Sequence, residues 1–276
     1  CSVPLGPAAN DLGLVGGPCI LFSKYGKREG FSNPTKKRCH DVGTAMARKT
    51  PICIHENVEG FEEARYPFVI YTRKLSSEQL DPKLFGHPNS RPRAWRILFN
   101  KDKKKWSSEW SLQEIANLML ASKDEPPFLD FQCYFIEQRN DINNLPHGCV
   151  EEDGLSRCHA EHLEKFRHTA PQNELYDLSA NVAKRKRVEL ADRSFPCLTT
   201  SGIYWSEKMG RTMSARENLN VLGYPCWGPG CQVACVDPVD LSDLSESALR
   251  SMAGNGMSLC CAGWVLLMTI LFVEDK

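Results

Sequence analysis

Short apolar runs alternate with polar or helical stretches over the first hundred residues. Leu12–Val15, Ile52–Ile54, Phe68–Tyr71 and Trp95–Phe99 read as strands, because brief apolar runs without alternation fit strands covered on both faces. Between the first two, Val42, Ala45 and Met46 fall at helical spacing and predict a crossover helix, hence a parallel βαβ unit. This succession is the pattern of a doubly wound α/β sheet. From Lys101 to about Pro196 the pattern loosens into polar, Pro-bearing sequence, read as an inserted second lobe. One helix stands out there, opened by the capping box Ser111-x-x-Glu114 and carrying Leu112, Ile115, Leu118 and Met119. Further on, Ser214-x-x-Glu217 opens a helix with Leu219 and Leu222, and a long apolar stretch runs from Met257 to Val273. No internal repeat or low-complexity tract interrupts the chain.

The apolar stretch carries no formal charge but falls just short of the ~18 to 20 residues that cross a bilayer. It also contains Ser258, Gly263 and Thr269. A buried closing helix is therefore preferred to a membrane anchor, and no membrane partner is expected. The expected segments are residues 1–100, 101–198 and 199–276.

Composition narrows the classes. With 276 residues, 42% hydrophobic and 25% charged, the chain is neither disordered nor collagenous nor a small disulfide scaffold. Thirty-four basic residues balance thirty-four acidic ones, which excludes a uniformly basic nucleic-acid binder and an acidic tail protein. Thirteen cysteines, an odd count with no Cys-x-x-Cys pair, indicate reduced thiols and a nuclear or cytoplasmic setting. Cys226, Cys231 and Cys235, or His147 with Cys149, Cys158 and His159, have spacings that fit no common zinc site, and no structural metal is expected.

Three clusters carry candidate chemistry. The run from Asp11 to Ser23 is an apolar strand entering a Gly-Gly-Pro turn that presents Cys19, beside the basic residues Lys24, Lys27, Arg28, Lys36, Lys37 and Arg38. Positive surroundings stabilise a thiolate, which makes Cys19 a candidate nucleophile. His55-Glu56-Asn57-Val58 follows the second strand and puts a carboxyl group at the same sheet edge. Arg91 and Arg93 stand at i and i+2 on an extended segment, so both guanidiniums are expected to face one ligand.

In order, these pieces are Gly17-Pro18-Cys19 with Phe22-Ser23, Glu56-Asn57-Val58, Ser90-Arg91-Pro92-Arg93, Arg211-Thr-Met-Ser-Ala-Arg-Glu217 with Leu222-Gly-Tyr-Pro225, and Gly254-Asn255-Gly-Met257. The set resembles the C5-cytosine DNA methyltransferase family over nearly the whole chain. The resemblance implies an S-adenosylmethionine-dependent, Rossmann-like α/β sheet. Residues 1–100 and 199–276 would form the catalytic core, and residues 101–198 the target-recognition region. It implies a Cys19 thiolate adding to C6 of a flipped cytosine, Glu56 at N3, Arg93 at O2 and Arg91 supporting the flipped nucleotide or its phosphate. Pro18 and Asn255 would contact the cofactor, S-adenosyl-L-methionine.

Departures accompany the match. Ile20 and Asn89 stand where the family often has Gln, and Cys1–Asn10 cannot supply the family's Phe-x-Gly-x-Gly segment. The sheet is therefore expected to be incomplete at the N-terminus, with a segment preceding Cys1, and the chain as it stands to bind the cofactor poorly. Net charges of +5 over residues 24–38 and +6 over 91–105, against −4 over 236–276, favour a nucleic-acid partner. Lys184–Arg187 could be a nuclear localisation signal or a phosphate clamp. DNA is favoured over transfer RNA because the Cys-Phe-Thr tripeptide of the RNA-directed branch is absent. A non-catalytic DNA-binding or partner-activating remnant is the alternative from a different class, and the oligomeric state is left open.

Overall fold

The computed structural model describes residues 12–16, 41, 45, 50–59, 61, 73–87, 89–100, 102–121, 134, 148–169, 174–179, 195, 197–226, 231 and 235–276. By contacts the chain falls into two units, one of Cys1–Leu84, Pro92–Glu125 and Cys261–Lys276, the other of Phe85–Arg91 and Pro126–Cys260. Residues 101–125 thus group with the sheet, and residues 199–260 group with most of the expected recognition region.

The first unit is organised by a four-stranded sheet of β1 (Leu12–Gly16), β2 (Ile52–Asn57), β3 (Arg73–Leu80) and β4 (Arg93–Asn100), in the order β1-β2-β4-β3. β1 and β2 are parallel, from Leu12 opposite Ile52 to Gly16 opposite Glu56, as the expected βαβ unit requires. Of the expected crossover helix, Asp41 and Ala45 are described and both are helical. The rest of the sheet is antiparallel, β4 pairing with β2 on one side and β3 on the other. β2 and β4 are central, and their side chains are buried on both faces, which is why their sequences read as near-continuous apolar runs. β2 continues past the predicted Ile54 through His55, Glu56 and Asn57, because β4 supplies ladder partners as far as Ala94. The expected strand Phe68–Tyr71 lies outside the described residues. β3, with the sequence RKLSSEQL, was not expected: among the described strands it lies at the edge of the sheet, held by pairing along all of β4, and its polar sequence carries no apolar run.

α1 (Leu112–Ala121) opens with the expected capping box: Ser111 N donates to Glu114 Oε2 at 2.8 Å, and Glu114 N donates to Ser111 Oγ at 3.2 Å. These bonds hold the Glu114 carboxyl below its ordinary range.

The second unit contains α2 (Arg157–Thr169), β6 (Leu175–Asp177), β7 (Tyr204–Ser206), β8 (Arg211–Thr212), α3 (Ala215–Val221) and α4 (Glu246–Asn255). β6, β7 and β8 form a small antiparallel sheet. Leu163 and Phe166 of α2 pack with Tyr176, Leu178 and Trp205, while Phe195, Tyr204, Leu219, Leu249 and Ala253 belong to a larger core. α3 has the second expected capping box, joined here by a buried ion pair. Ser214 N donates to Glu217 Oε2 at 2.8 Å and Glu217 N to Ser214 Oγ at 3.1 Å, while Arg211 Nη2 donates to Glu217 Oε1 at 2.8 Å. Arg211 and Glu217, part of the sequence motif, are therefore architectural: one carboxylate caps the helix and neutralises the guanidinium that enters it from β8.

The apolar stretch forms α5 (Leu259–Phe272), followed by β9 (Val273–Asp275). α5 rises about 21 Å, short of the ~30 Å hydrocarbon core of a bilayer. Among the described residues no single helix is long and apolar enough to cross a membrane. The expectation of a buried helix needs correction. Cys261, Trp264, Val265 and Met268 are buried, but Leu267, Ile270 and Leu271 are exposed, Ile270 by 68%, so the helix has one buried face. Residues that are apolar all round could not reveal that division in advance.

Candidate active site

β2 and β4 bring together two of the expected site residues. In their antiparallel register Glu56 lies opposite Trp95, which puts Arg93 diagonally across on the same face. Arg93 Nε reaches Glu56 Oε1 at 3.2 Å, with both side chains about nine-tenths buried. Arg93 Nη1 also donates to the Pro92 carbonyl at 2.9 Å, which fixes the guanidinium plane beside the carboxylate. A buried carboxyl group next to a buried guanidinium is an acid partner and a fixed multiple donor, side by side at the carboxyl end of a strand. On the opposite face, Arg96 Nη1 lies 3.4 Å from His55 Nδ1, and its guanidinium stacks over Phe61 at 5.3 Å.

By sequence Trp95 belongs to the core of a strand. The structure puts it directly opposite Glu56, and its buried indole N–H has no hydrogen-bond partner among the described residues. An aromatic residue two places after Arg93 was the available signal.

Arg91 lies outside the strand that carries Arg93. The i, i+2 rule holds along a continuous strand, but β4 begins at Arg93 and Arg91 precedes it. Within the second unit the buried Arg91 guanidinium donates to backbone carbonyls: Gly256 at 2.6 Å, Gly254 at 3.1 Å and Leu198 at 3.4 Å. Both terminal nitrogens thus donate to backbone carbonyls and secure the end of α4. Gly254 is needed in this turn, since a Cβ there would collide with the backbone of Thr199 and Thr200. Asn255, between the two clamped carbonyls, is exposed. Asn89 Nδ2 donates to the Val221 carbonyl at 2.7 Å, so the residue standing in for the usual Gln is also buried in the scaffold.

Cys19 and Pro18 lie outside the described residues, as do residues 24–38 and Lys184–Arg187. The basic run of residues 91–105 differs from expectation. Arg91, Arg93 and Arg96 are buried, and Lys104 and Lys105 pair with Asp275 at 2.7 Å and Glu274 at 3.5 Å across the β5–β9 ladder, β5 being Lys104–Trp106. The charges that gave this run its sign are largely internal or neutralised. Among the described residues no group of three or more His, Cys, Asp or Glu side chains could hold a metal ion.

The family model for C-5 cytosine-specific DNA methylase matches residues 7–228. The chain belongs to that family. A type II methyltransferase of Moraxella sp, M.MspI, is 33% identical over 101 residues, covering 33% of this chain and 24% of that protein. M.BsuFI, a type II methyltransferase of Bacillus subtilis, is 32% identical over 102 residues, covering 33% of this chain and 25% of that protein. The aligned part is thus about a quarter of either relative. Among solved structures, the S. pombe Dnmt2 methyltransferase superposes with a TM-score of 0.54 at 16% identity, over 95% of this chain and 78% of that one. The Entamoeba histolytica methyltransferase EhMeth gives 0.54 at 13% identity, over 95% and 76%. The fold is therefore the mixed α/β fold of S-adenosylmethionine-dependent methyltransferases, as the motif order implied.

Proposed function

We propose that this family member transfers a methyl group from S-adenosylmethionine to C5 of cytosine in DNA, and that the Glu56–Arg93 pair is the part of the machinery that reads and polarises the base. The observation that carries the reading is the 3.2 Å contact between these two buried side chains at the end of β2. Cytosine presents N3 and O2 side by side on one edge. A carboxyl group can deliver a proton to N3 while the adjacent guanidinium donates to O2. Neither interaction is available while the base is paired, so the target must leave the stack.

C5 of cytosine is too weak a nucleophile to accept a methyl group unaided. The Cys19 thiolate adds to C6, and the proton from Glu56 keeps the resulting enamine neutral. S-adenosylmethionine, when bound, supplies the methyl group to C5. Loss of the C5 proton to solvent then expels the Cys19 thiolate, and return of the N3 proton to the Glu56 carboxylate restores the neutral aromatic ring. Asn255, held by the Arg91 clamp, and Pro18 are the residues of this chain assigned to the cofactor. The recognition role falls to residues 101–198, and the protein acts in a reducing compartment, nuclear or cytoplasmic.

The test is trapping on duplex DNA containing 5-fluorocytosine in the presence of S-adenosylmethionine, with matched 5-fluorocytosine transfer RNA as the second arm. Fluorine blocks the final elimination, so turnover leaves a denaturant-stable protein–DNA adduct. The expected adduct forms on DNA and is lost in Cys19→Ser. An adduct on RNA alone assigns the RNA substrate, and binding of DNA and cofactor without any adduct assigns a non-catalytic binder.

A further inference from the structure

The face of the sheet that carries Glu56 and Arg93 carries a third polar group. Trp95 is the ladder partner of Glu56 and stands two residues after Arg93, so all three side chains leave the sheet on one side. Directly opposite residues of an antiparallel pair have Cβ atoms about 4.5 to 5.5 Å apart, a span that a carboxyl group and an indole can bridge. Trp95 is 1% exposed, and its indole N–H has no hydrogen-bond partner among the described residues. Gly16, the ladder partner of Glu56 on β1, brings no side chain to the same row.

A buried donor without an acceptor costs stability, and phenylalanine would fill an apolar position without that cost. Two other buried indoles differ from Trp95. Trp264 donates to Met119 Sδ at 3.1 Å. Trp205 also lacks a partner among the described residues, but its ladder partners are Tyr176 and Thr212, neither of which forms a carboxylate. Of the three, Trp95 is the one set across from an acidic group.

We propose that Trp95 is a positioning residue of the base site, its indole N–H donating to the Glu56 carboxylate once the carboxyl proton has passed to N3 of cytosine. The inference rests on the cytosine chemistry proposed above for Glu56 and Arg93. In the structure Arg93 Nε meets Glu56 Oε1 at 3.2 Å. A cytosine draws that guanidinium toward O2, while proton transfer to N3 leaves the carboxylate negative in a buried setting, where an ion needs a donor. A donor that gains its acceptor only at that step stabilises the product of the transfer more than its starting state, and so lowers the barrier. The indole keeps its own proton throughout. One proton moves, from the Glu56 oxygen to N3, and it returns at the end of turnover.

The experiment replaces Trp95 in the full chain with benzothienylalanine, which has nearly the shape of tryptophan but sulfur in place of the N–H. It measures tritium release to water from DNA labelled at cytosine C5, without cofactor, beside the affinity for that DNA. Release at saturating DNA is expected to fall about 10- to 100-fold, the weight of a hydrogen bond to an ion, with affinity and melting temperature unchanged. Trp95→Phe, which also lacks the N–H, is expected to show the same fall in rate at unchanged DNA affinity. In a Glu56→Gln background the benzothienylalanine replacement is expected to change nothing further, because the accepting ion no longer forms. Release as fast as with tryptophan, or a loss of equal size in the Glu56→Gln background, overturns the inference while the cytosine reading stands. No release from the unaltered chain overturns both.

Discussion

Glu56 and Arg93 meet because a two-residue offset across an antiparallel ladder puts them on one face, and because β2 runs three residues beyond its apolar run. Glu56→Gln keeps the shape and an oxygen for Arg93 to donate to, but cannot deliver a proton. At saturating S-adenosylmethionine, methyl transfer is expected to fall by about 100- to 10,000-fold, the usual weight of a positioned acid, with DNA binding unchanged. Equal activity in the variant would remove Glu56 from its role. The sequence made Glu56 and Arg93 legible because motif spacing and strand ends locate groups along the chain. It could not make Arg91 legible in the same way, since its partners, the carbonyls of Gly254 and Gly256, are more than 160 positions away and are backbone atoms that no side-chain motif marks.

At the scale of elements, the two capping boxes were readable because their bonds are local, three residues apart. The ion pair from β8 to α3 adds a non-local consequence. Glu217→Gln leaves the Arg211 guanidinium buried without its countercharge and weakens the cap. The variant is expected to lose about 3 kcal/mol in urea denaturation. A second charged cluster joins α2 to the turn after β7 and the turn at Glu152: Arg167 donates to Glu152 Oε1 at 2.7 Å and to Glu207 Oε1 at 2.6 Å. The bonds to Arg167 hold the Glu152 carboxyl below its unfolded value of 4.5. A depressed folded value means that this contribution is present above about pH 4.5 and is lost as pH falls through the lower folded value. Arg167→Met is therefore expected to flatten the acid limb of a melting-temperature profile. The loss at neutral pH should stay under about 1 kcal/mol because the pair is largely exposed. β3 and the half-buried α5 escaped the sequence for opposite reasons. One is too polar to stand out as a strand, and the other too uniformly apolar to show which face is covered.

For the whole molecule, motif order carried more than charge. Five short motifs in sequence implied the methyltransferase fold, and the family match over residues 7–228 agrees with them. Charge counting over residues 91–105 misled, because a linear sum cannot separate an arginine inside a sheet from a lysine facing a phosphate, nor foresee that β9 brings Asp275 and Glu274 to Lys104 and Lys105. Basic residues 24–38 remain the segment proposed to meet the phosphate backbone, and they lie outside the described residues.

In the proposed reaction Cys19 and Glu56 together turn cytosine into an enamine before any cofactor is needed. The direct measurement is release of tritium to water from DNA carrying cytosine labelled at C5, incubated with the chain in the absence of S-adenosylmethionine. An enamine takes a solvent proton at C5 and gives up the original hydrogen when Cys19 leaves. Release is expected with the unaltered chain, at rates reduced by about 100-fold or more in Glu56→Gln and abolished in Cys19→Ser. DNA bound without release, or release undiminished in Glu56→Gln, would rule out this joint role of Cys19 and Glu56.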